Sequence, residues 1–253
     1  MKPKLIDLYT RHSHFVSDKW SSYIDEYQRL FAPLQGKRIR LLEIGVQNGG
    51  SLEIWEQFFP KAEQILGCDV EQECKSLKFS SPKINVIVGD IKDKATIDAI
   101  TLIAKQDLDI IIDDGSHISD DIVASFLHLF PKLKSGGLFV AEDLHCSYWP
   151  DFNGGLTNPK SSNSFFKMLV DVINYEHWTT AQNPAVYLGE YFDIPDDACR
   201  WLNQIHSIEF INSMCIIKKS LSETSNLGPR MVAGAIESVC RIKEKNGQHL
   251  PKH

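Results

Sequence analysis

DIIIDDGSH (109–117) and GGLFVAEDLHCSYW (136–149) are two apolar runs that each stop abruptly at acidic residues. A short, continuous apolar run bounded by polar residues reads as a strand buried on both faces, as in a parallel sheet. Ligands of open parallel sheets bind outside the carboxyl ends of the strands. Asp113, Asp114, His117, Glu142, Asp143 and His145 are therefore expected on one rim. Carboxylates gathered there repel one another unless a cation or a proton intervenes. These residue types suit a hard-metal site with a titratable base beside it. Taken singly, each has a plainer explanation. An Asp at a strand end often caps a helix, Ser116 or Ser119 can start the next one, and a lone histidine after a strand is usually structural. Two acidic strand ends in tandem outweigh that explanation.

Working outward, IRLLEIGV (39–46), QILGCDV (64–70) and INVIVGD (84–90) read as three further buried strands. Helical segments are expected at 51–59, 94–105 and 119–133. Strands alternating with helices at this spacing indicate an α/β fold with a right-handed, doubly wound, mostly parallel sheet. After an amphipathic helix at 164–176, HSIEFINSMCIIKKS (206–220) reads as two strands joined at Asn212-Ser213, a hairpin and not a crossover. At the other end, Trp20, Tyr23, Ile24, Tyr27, Leu30 and Phe31 recur at helical spacing, with Asp18 as the expected N-cap and Pro33 as the stop. That stripe is a packing face for the sheet, a cofactor or a neighbouring subunit. Three units are expected: a helical extension (1–38), the main domain (39–220), and a last helix with a loose tail (221–253), the helix over 231–242.

The first strand runs into Glu43-Ile44-Gly45-Val46-Gln47-Asn48-Gly49-Gly50-Ser51. Glycines let a backbone approach a ligand and adopt positive φ. The pattern is ExGxxxGG, and not the GxGxxG that presents helix N–H groups to a pyrophosphate. Glu43 would repel a phosphate but suits the ammonium of a methionyl group. Asp69, ending the second strand, is placed for ribose hydroxyls, and Asp90, ending the third, for an adenine amino group. The expected cofactor is S-adenosylmethionine, bound by Glu43, Gly45, Gly49, Gly50, Ser51, Asp69, Asp90 and Asp113.

Composition narrows the rest. At 253 residues the chain is long enough for one large domain with extensions. A net charge of −6 argues against an extended nucleic-acid surface. Six cysteines without a CxxC pair read as reduced thiols. No signal peptide, membrane span or internal repeat is visible, so a cytoplasmic protein is expected.

LLEIGVQNGGSLEIW, IIIDDGSHI and GGLFVAEDLHCSYW closely resemble stretches of class I S-adenosylmethionine-dependent O-methyltransferases, in particular bacterial enzymes of the mycinamicin and macrocin type that methylate sugar hydroxyls of macrolides and aromatic polyketides. The resemblance covers 18–220 and implies a Rossmann-like sheet of seven strands ended by the antiparallel hairpin. It also implies Mg²⁺ (or Mn²⁺) held by Asp114, Glu142 and Asp143, with His117 as the base. The register resembles catechol-type enzymes too: the position of their metal Asp falls on Asp114 and that of their catalytic Lys on His117. Macrolide-sugar enzymes can carry a long extra domain where only a helical extension is expected here, which leaves the acceptor and the assembly, including a homo-oligomer, open.

The implied reaction is in-line methyl transfer to the hydroxyl of a small molecule. A cation lowers the hydroxyl pKa and His117, with a reference pKa of about 6.5, accepts the proton. The loop at 148–163 is read as a substrate lid or a plain surface excursion. Two rival readings are a metal-dependent hydroxylase on the same fold and a non-catalytic S-adenosylmethionine-binding subunit. The first wants a histidine-rich iron triad, and the second leaves His117 and the acidic pairs without a purpose.

Overall fold

The computed structural model describes residues 2–105 and 107–250. Two helices, α1 (Leu5–Arg11) and α2 (Ser21–Phe31), precede the sheet. Then come β1 (Arg40–Ile44), α3 (Gly50–Phe58), β2 (Gln64–Asp69), β3 (Ile84–Val88), α4 (Lys94–Ala104), β4 (Leu108–Asp113), α5 (Ser119–Leu129) and β5 (Leu133–Ala141). The chain continues through α6 (Ser162–Ile173), α7 (Pro184–Leu188), α8 (Cys199–Leu202), β6 (Ile205–Ile211) and β7 (Met214–Lys219).

The seven strands lie in the order β3-β2-β1-β4-β5-β7-β6. β3, β2, β1, β4 and β5 pair in parallel, and β7 joins β5 and β6 antiparallel. The strand order reverses between β1 and β4, where ligands of such sheets bind. β4 is buried along its whole length, as its unbroken apolar run requires. Its side chains still alternate: Ile111 joins the core formed with α4, α5 and α6, while Ile110 and Ile112 join the core under α1, α2 and α3.

The N-terminal helices belong to that second core. Tyr23, Ile24, Tyr27 and Phe31 cluster with Trp55, Phe58 and Phe59 of the α3 region and with Leu41 of β1. Tyr27 and Phe31 meet the Trp55 ring edge-on at 5.1 and 5.8 Å. The expected stripe is thus a packing face for the sheet, except that Trp20 is 60% exposed.

Two local expectations need correction. Asp18 does not cap α2: the helix starts at Ser21, and Trp20 at the cap position holds a non-helical ψ of 139°. The chain before it stays extended because Lys19 is anchored on the sheet, as described below. Residues 231–242 form no helix. Gly234 takes φ +101° within that stretch. Met231, Ile236 and Val239 are exposed, so no apolar face is covered, and a helix this short is marginal without packing. Residues 251–253 of the expected tail lie outside the described residues. No helix among the described residues is long and apolar enough to cross a membrane.

Phe126 of α5 stands at the centre of the first core, with ring centroids of Phe130, Phe139 and Phe165 at 4.9, 5.2 and 5.5 Å. Phe126→Ala should cost about 3–5 kcal/mol of unfolding free energy by urea titration, since it leaves a cavity that packed rings cannot close.

Candidate active site

The carboxyl end of β1 is locked to those of its neighbours β2 and β4 through the glycine turn. Gly45 N–H donates to the Cys68 carbonyl at 2.9 Å, and Asp114 N–H to the Ile44 carbonyl at 3.0 Å. Gly45 sits at φ +89°, and a Cβ there would collide with the Asp114 carbonyl oxygen. Only glycine fits, because the turn needs both the left-handed backbone and the close approach. Asp69 at the end of β2 fixes the same turn. Its Oδ2 accepts from the N–H groups of Val46 (2.7 Å) and Gln47 (2.9 Å), and its Oδ1 from Glu71 N–H (3.0 Å).

A cavity of about 760 Å³ opens over this turn. Of the residues expected to bind a cofactor, Gly45, Ser51, Asp69, Asp90 and Asp113 line it. Burial raises the Asp113 carboxyl to about 7. Gly49 and Gly50 do not line the cavity. Gly49 starts α3 at φ +87°, and Gly50 donates its N–H to the Val16 carbonyl at 3.2 Å. That bond belongs to a strap, residues 12–19, which crosses the turn. Phe15 N–H donates to Glu53 Oε2 at 3.3 Å, His14 Nδ1 lies 2.8 Å from Glu53 Oε1, and Val16, Ser17, Asp18 and Lys19 form one wall of the cavity. Glu71 is a further acidic lining residue that the sequence reading missed.

Lys19 is the largest surprise. Its side chain is 1% exposed and inserts between three carboxylates. Nζ lies 2.5 Å from Asp114 Oδ2, 2.7 Å from Glu142 Oε1 and 3.2 Å from Glu43 Oε1. Ser51 Oγ donates to Glu43 Oε2 at 2.6 Å, and the Tyr27 hydroxyl donates to Glu142 Oε1. Burial alone would lower the Lys19 pKa, but the charges of Glu142, Glu43 and Asp114 outweigh it and hold it well above the ordinary value. Burial likewise pushes Glu43 and Glu142 up, against the pull of Lys19, with the Asp114 charge adding to the rise.

Two expected site residues are placed differently from the rest. Glu43 is fully buried on Lys19 and Ser51 and is not among the residues that line the cavity. Glu142 is turned to Lys19 and Tyr27 and stands outside the metal-competent group. That group is Asp114, His117 and Asp143, each offering one ligand atom within 4.8 Å of the others. Glu142 and Asp143 are neighbours in sequence but diverge because Asp143 adopts φ +52° and reverses the chain after β5. His117 also takes a left-handed backbone, φ +59°, and its Nε2 lies 3.6 Å from Asp143 Oδ2. Non-glycine residues in this region are uncommon and cluster at functional sites.

Asp143 Oδ1 accepts from Tyr23 OH at 2.8 Å and from Trp20 Nε1 at 3.1 Å. His145 is held by Ser213, whose Oγ lies 2.5 Å from its Nδ1, and it meets the edge of Trp149 at 5.0 Å between centroids. The 148–163 loop is tied back on itself, with Gly155 N–H on the Ser147 carbonyl at 2.8 Å, yet Tyr148 and Trp149 remain about half exposed beside the acidic group. The sequence signal for the missed residues is the spacing Lys19, Tyr23, Tyr27: three polar tips, four residues apart, along an otherwise apolar stripe.

Comparison with known proteins matches residues 22–147 to the FtsJ-like methyltransferase family. A tetracenomycin-C rhamnosyl 2'-O-methyltransferase of Streptomyces olivaceus is 37% identical over 72% of this chain and 49% of its own length. Demethylmacrocin O-methyltransferase of Streptomyces fradiae is 35% identical over 69% of this chain and 46% of its own length. The chain spans about half the length of the curated relatives it matches. Among solved structures, the methyltransferase MycE of the mycinamycin pathway, in complex with Mg and SAH, is 29% identical. It superposes with a TM-score of 0.71 over 87% of this chain and 55% of its own length.

Lys19→Met should destabilise the protein by about 3–5 kcal/mol in urea denaturation, because it strands buried carboxylates without a counter-charge. Adding Glu142→Gln should recover part of that loss, since one fewer carboxylate is then left unpaired.

Proposed function

Because the chain belongs to the FtsJ-like methyltransferase family, we propose that it transfers a methyl group from S-adenosylmethionine to a hydroxyl of a glycosylated small molecule, assisted by a divalent cation. The single observation behind this reading is the convergence of Asp114, His117 and Asp143 at the edge of a cavity built on the glycine turn. The two carboxylates are oxygen donors of the kind that favours hard ions such as Mg²⁺ or Mn²⁺, with the imidazole beside them. They fit such an ion in this structure, since the three ligand atoms already lie within 4.8 Å of one another. Asp114 and Asp143 would hold it, and when bound it would lower the pKa of an acceptor hydroxyl.

The chain's own residues supply the rest. The cofactor is taken to rest against Gly45 and Ser51, with Asp90 toward the adenine and Asp69 or Glu71 toward the ribose. Asp69 keeps spare acceptor capacity beyond the three N–H groups it binds. His117 serves as general base, oriented by Asp143 through the 3.6 Å contact. Trp149, against His145, and its neighbour Tyr148 offer half-exposed rings, a surface that suits a sugar or polyketide ring. A relative's structure contains Mg, SAH and mycinamycin VI, and other relatives are a rhamnosyl tetracenomycin-C 2'-O-methyltransferase and a mycinamicin VI 2''-O-methyltransferase. The hydroxylase alternative is disfavoured by the single histidine in the acidic group, where an iron triad uses two.

Incubation with deuteromethyl-labelled S-adenosylmethionine and a panel of glycosylated polyketides should yield a labelled O-methyl product by mass spectrometry. Chelator should abolish the reaction and Mg²⁺ or Mn²⁺ restore it. Methylation of a peptide or nucleic acid with none of the small molecules would overturn the acceptor class, and full turnover in excess EDTA would overturn the cation. His117→Ala should slow turnover about 10²–10⁴-fold, the span of a positioned acid–base group, while S-adenosylhomocysteine still binds by calorimetry. Trp149→Ala should raise the acceptor KM before it alters cofactor affinity.

A further inference from the structure

The two aspartates that would hold the cation each give one oxygen to the N-terminal segment. On Asp114 it is Oδ2, 2.5 Å from Lys19 Nζ. On Asp143 it is Oδ1, which accepts from Trp20 Nε1 at 3.1 Å and from Tyr23 OH at 2.8 Å. The backbone N–H of Asp143 also donates to the Tyr23 oxygen at 3.2 Å, so the phenol grips both ends of this residue. The second oxygen, Oδ2, faces His117 Nε2 at 3.6 Å. Three donors from five consecutive positions therefore converge on the two acids, across sequence separations of 95 residues for Lys19 to Asp114 and 120 for Tyr23 to Asp143.

A carboxylate free to rotate presents either oxygen in many directions. One whose first oxygen is pinned by a donor presents the second in a defined direction, and partners of this kind tune metal affinity. Lys19 adds a further selection, because the same ammonium ion holds Glu142 away from the group. Simpler roles account for these residues less well. Trp20 is 60% exposed, so burial does not oblige its side chain to find a partner inside the protein. The Tyr23 hydroxyl already has the Ser213 carbonyl at 3.0 Å as an alternative acceptor.

We propose that Lys19, Trp20 and Tyr23 are the positioning residues of the cation site: donors from the N-terminal segment that fix the liganding oxygens of Asp114 and Asp143. The proposal rests on the reading of those two aspartates as cation ligands. It makes docking of this segment a condition for a competent metal site, although every ligand comes from the ends of β4 and β5.

Mn²⁺ alone, titrated into the whole protein and followed by the electron paramagnetic resonance of the free ion, tests it. Trp20→Phe keeps an aromatic ring at an exposed position and deletes only the N–H donor. Tyr23→Phe deletes the hydroxyl. Each should weaken Mn²⁺ binding about tenfold and the pair about 100-fold, within the range found for outer partners of metal ligands. Affinity for S-adenosylhomocysteine, measured by calorimetry without metal, should not change, because neither residue lines the cofactor cavity. Lys19→Arg, which keeps a cationic donor, should retain more Mn²⁺ affinity than Lys19→Met. Mn²⁺ affinity unchanged in Trp20→Phe and in the folded double variant would overturn the positioning role. If the double variant does not fold, Trp20→Phe decides alone. A wild-type protein that binds no Mn²⁺ would instead overturn the cation reading itself.

Discussion

The buried ammonium of Lys19 is the contact on which the rest of the site depends. Three carboxylates, from β1, from the turn after β4 and from the end of β5, approach a common point inside the protein. Without a cation between them, desolvation and mutual repulsion would protonate them or push the strand ends apart. Lys19 supplies that cation from outside the sheet. One positive charge cannot neutralise three ionised acids, and burial with the residual repulsion raises both Glu43 and Glu142. Asp114, the member with the greatest exposure, is left facing the cavity.

The local backbone is shaped by the same demand for convergence. Gly45 must be glycine for the β1 turn to lie against Asp114, and Gln47, His117 and Asp143 all adopt positive φ around the cavity. Each such residue costs on the order of 1–3 kcal/mol unless its surroundings compensate. The compensation is visible in each case. Gln47 N–H is held by Asp69, and Asp143 by Tyr23 and Trp20, while His117 leans on Asp143. Strain at the rim is thus supported by side chains arriving from β2 and from the N-terminal segment.

Most of the fold was legible because its signals are local. Unbroken apolar runs marked the strands of the parallel sheet, the Asn212-Ser213 hairpin marked the antiparallel end, and the acidic strand termini marked the rim. The partition within that rim was not legible. Glu142 and Asp143 are chemically similar neighbours, and only the left-handed turn at Asp143 sends one inward and the other to the cavity. Nor does anything near Lys19 in sequence disclose its partners, of which Asp114 and Glu142 lie 95 and 123 residues away. An N-cap rule applied to Asp18 pointed to the wrong helix start because the anchoring of Lys19 overrides local preference. The absent helix at 231–242 failed in the opposite way: its apolar residues have helical spacing but nothing to pack on.

A buried charge cluster is a poor way to gain stability. Replacing such a set by well-packed apolar residues is often neutral or favourable, because desolvation offsets most of the Coulombic gain. The surrounding core does not need it, since Tyr27, Phe31, Trp55 and Phe58 already fill the space beneath α2 with aromatic contacts. What the cluster adds is position. It ties the strap over the cavity, the turn that shapes that cavity and the acids at its edge to one atom, Lys19 Nζ. The wall of the cavity formed by residues 16–19 and the acids at its edge therefore share one anchor. That shared anchor is a physical reason to retain ion pairs that add little to folding relative to a well-packed apolar replacement.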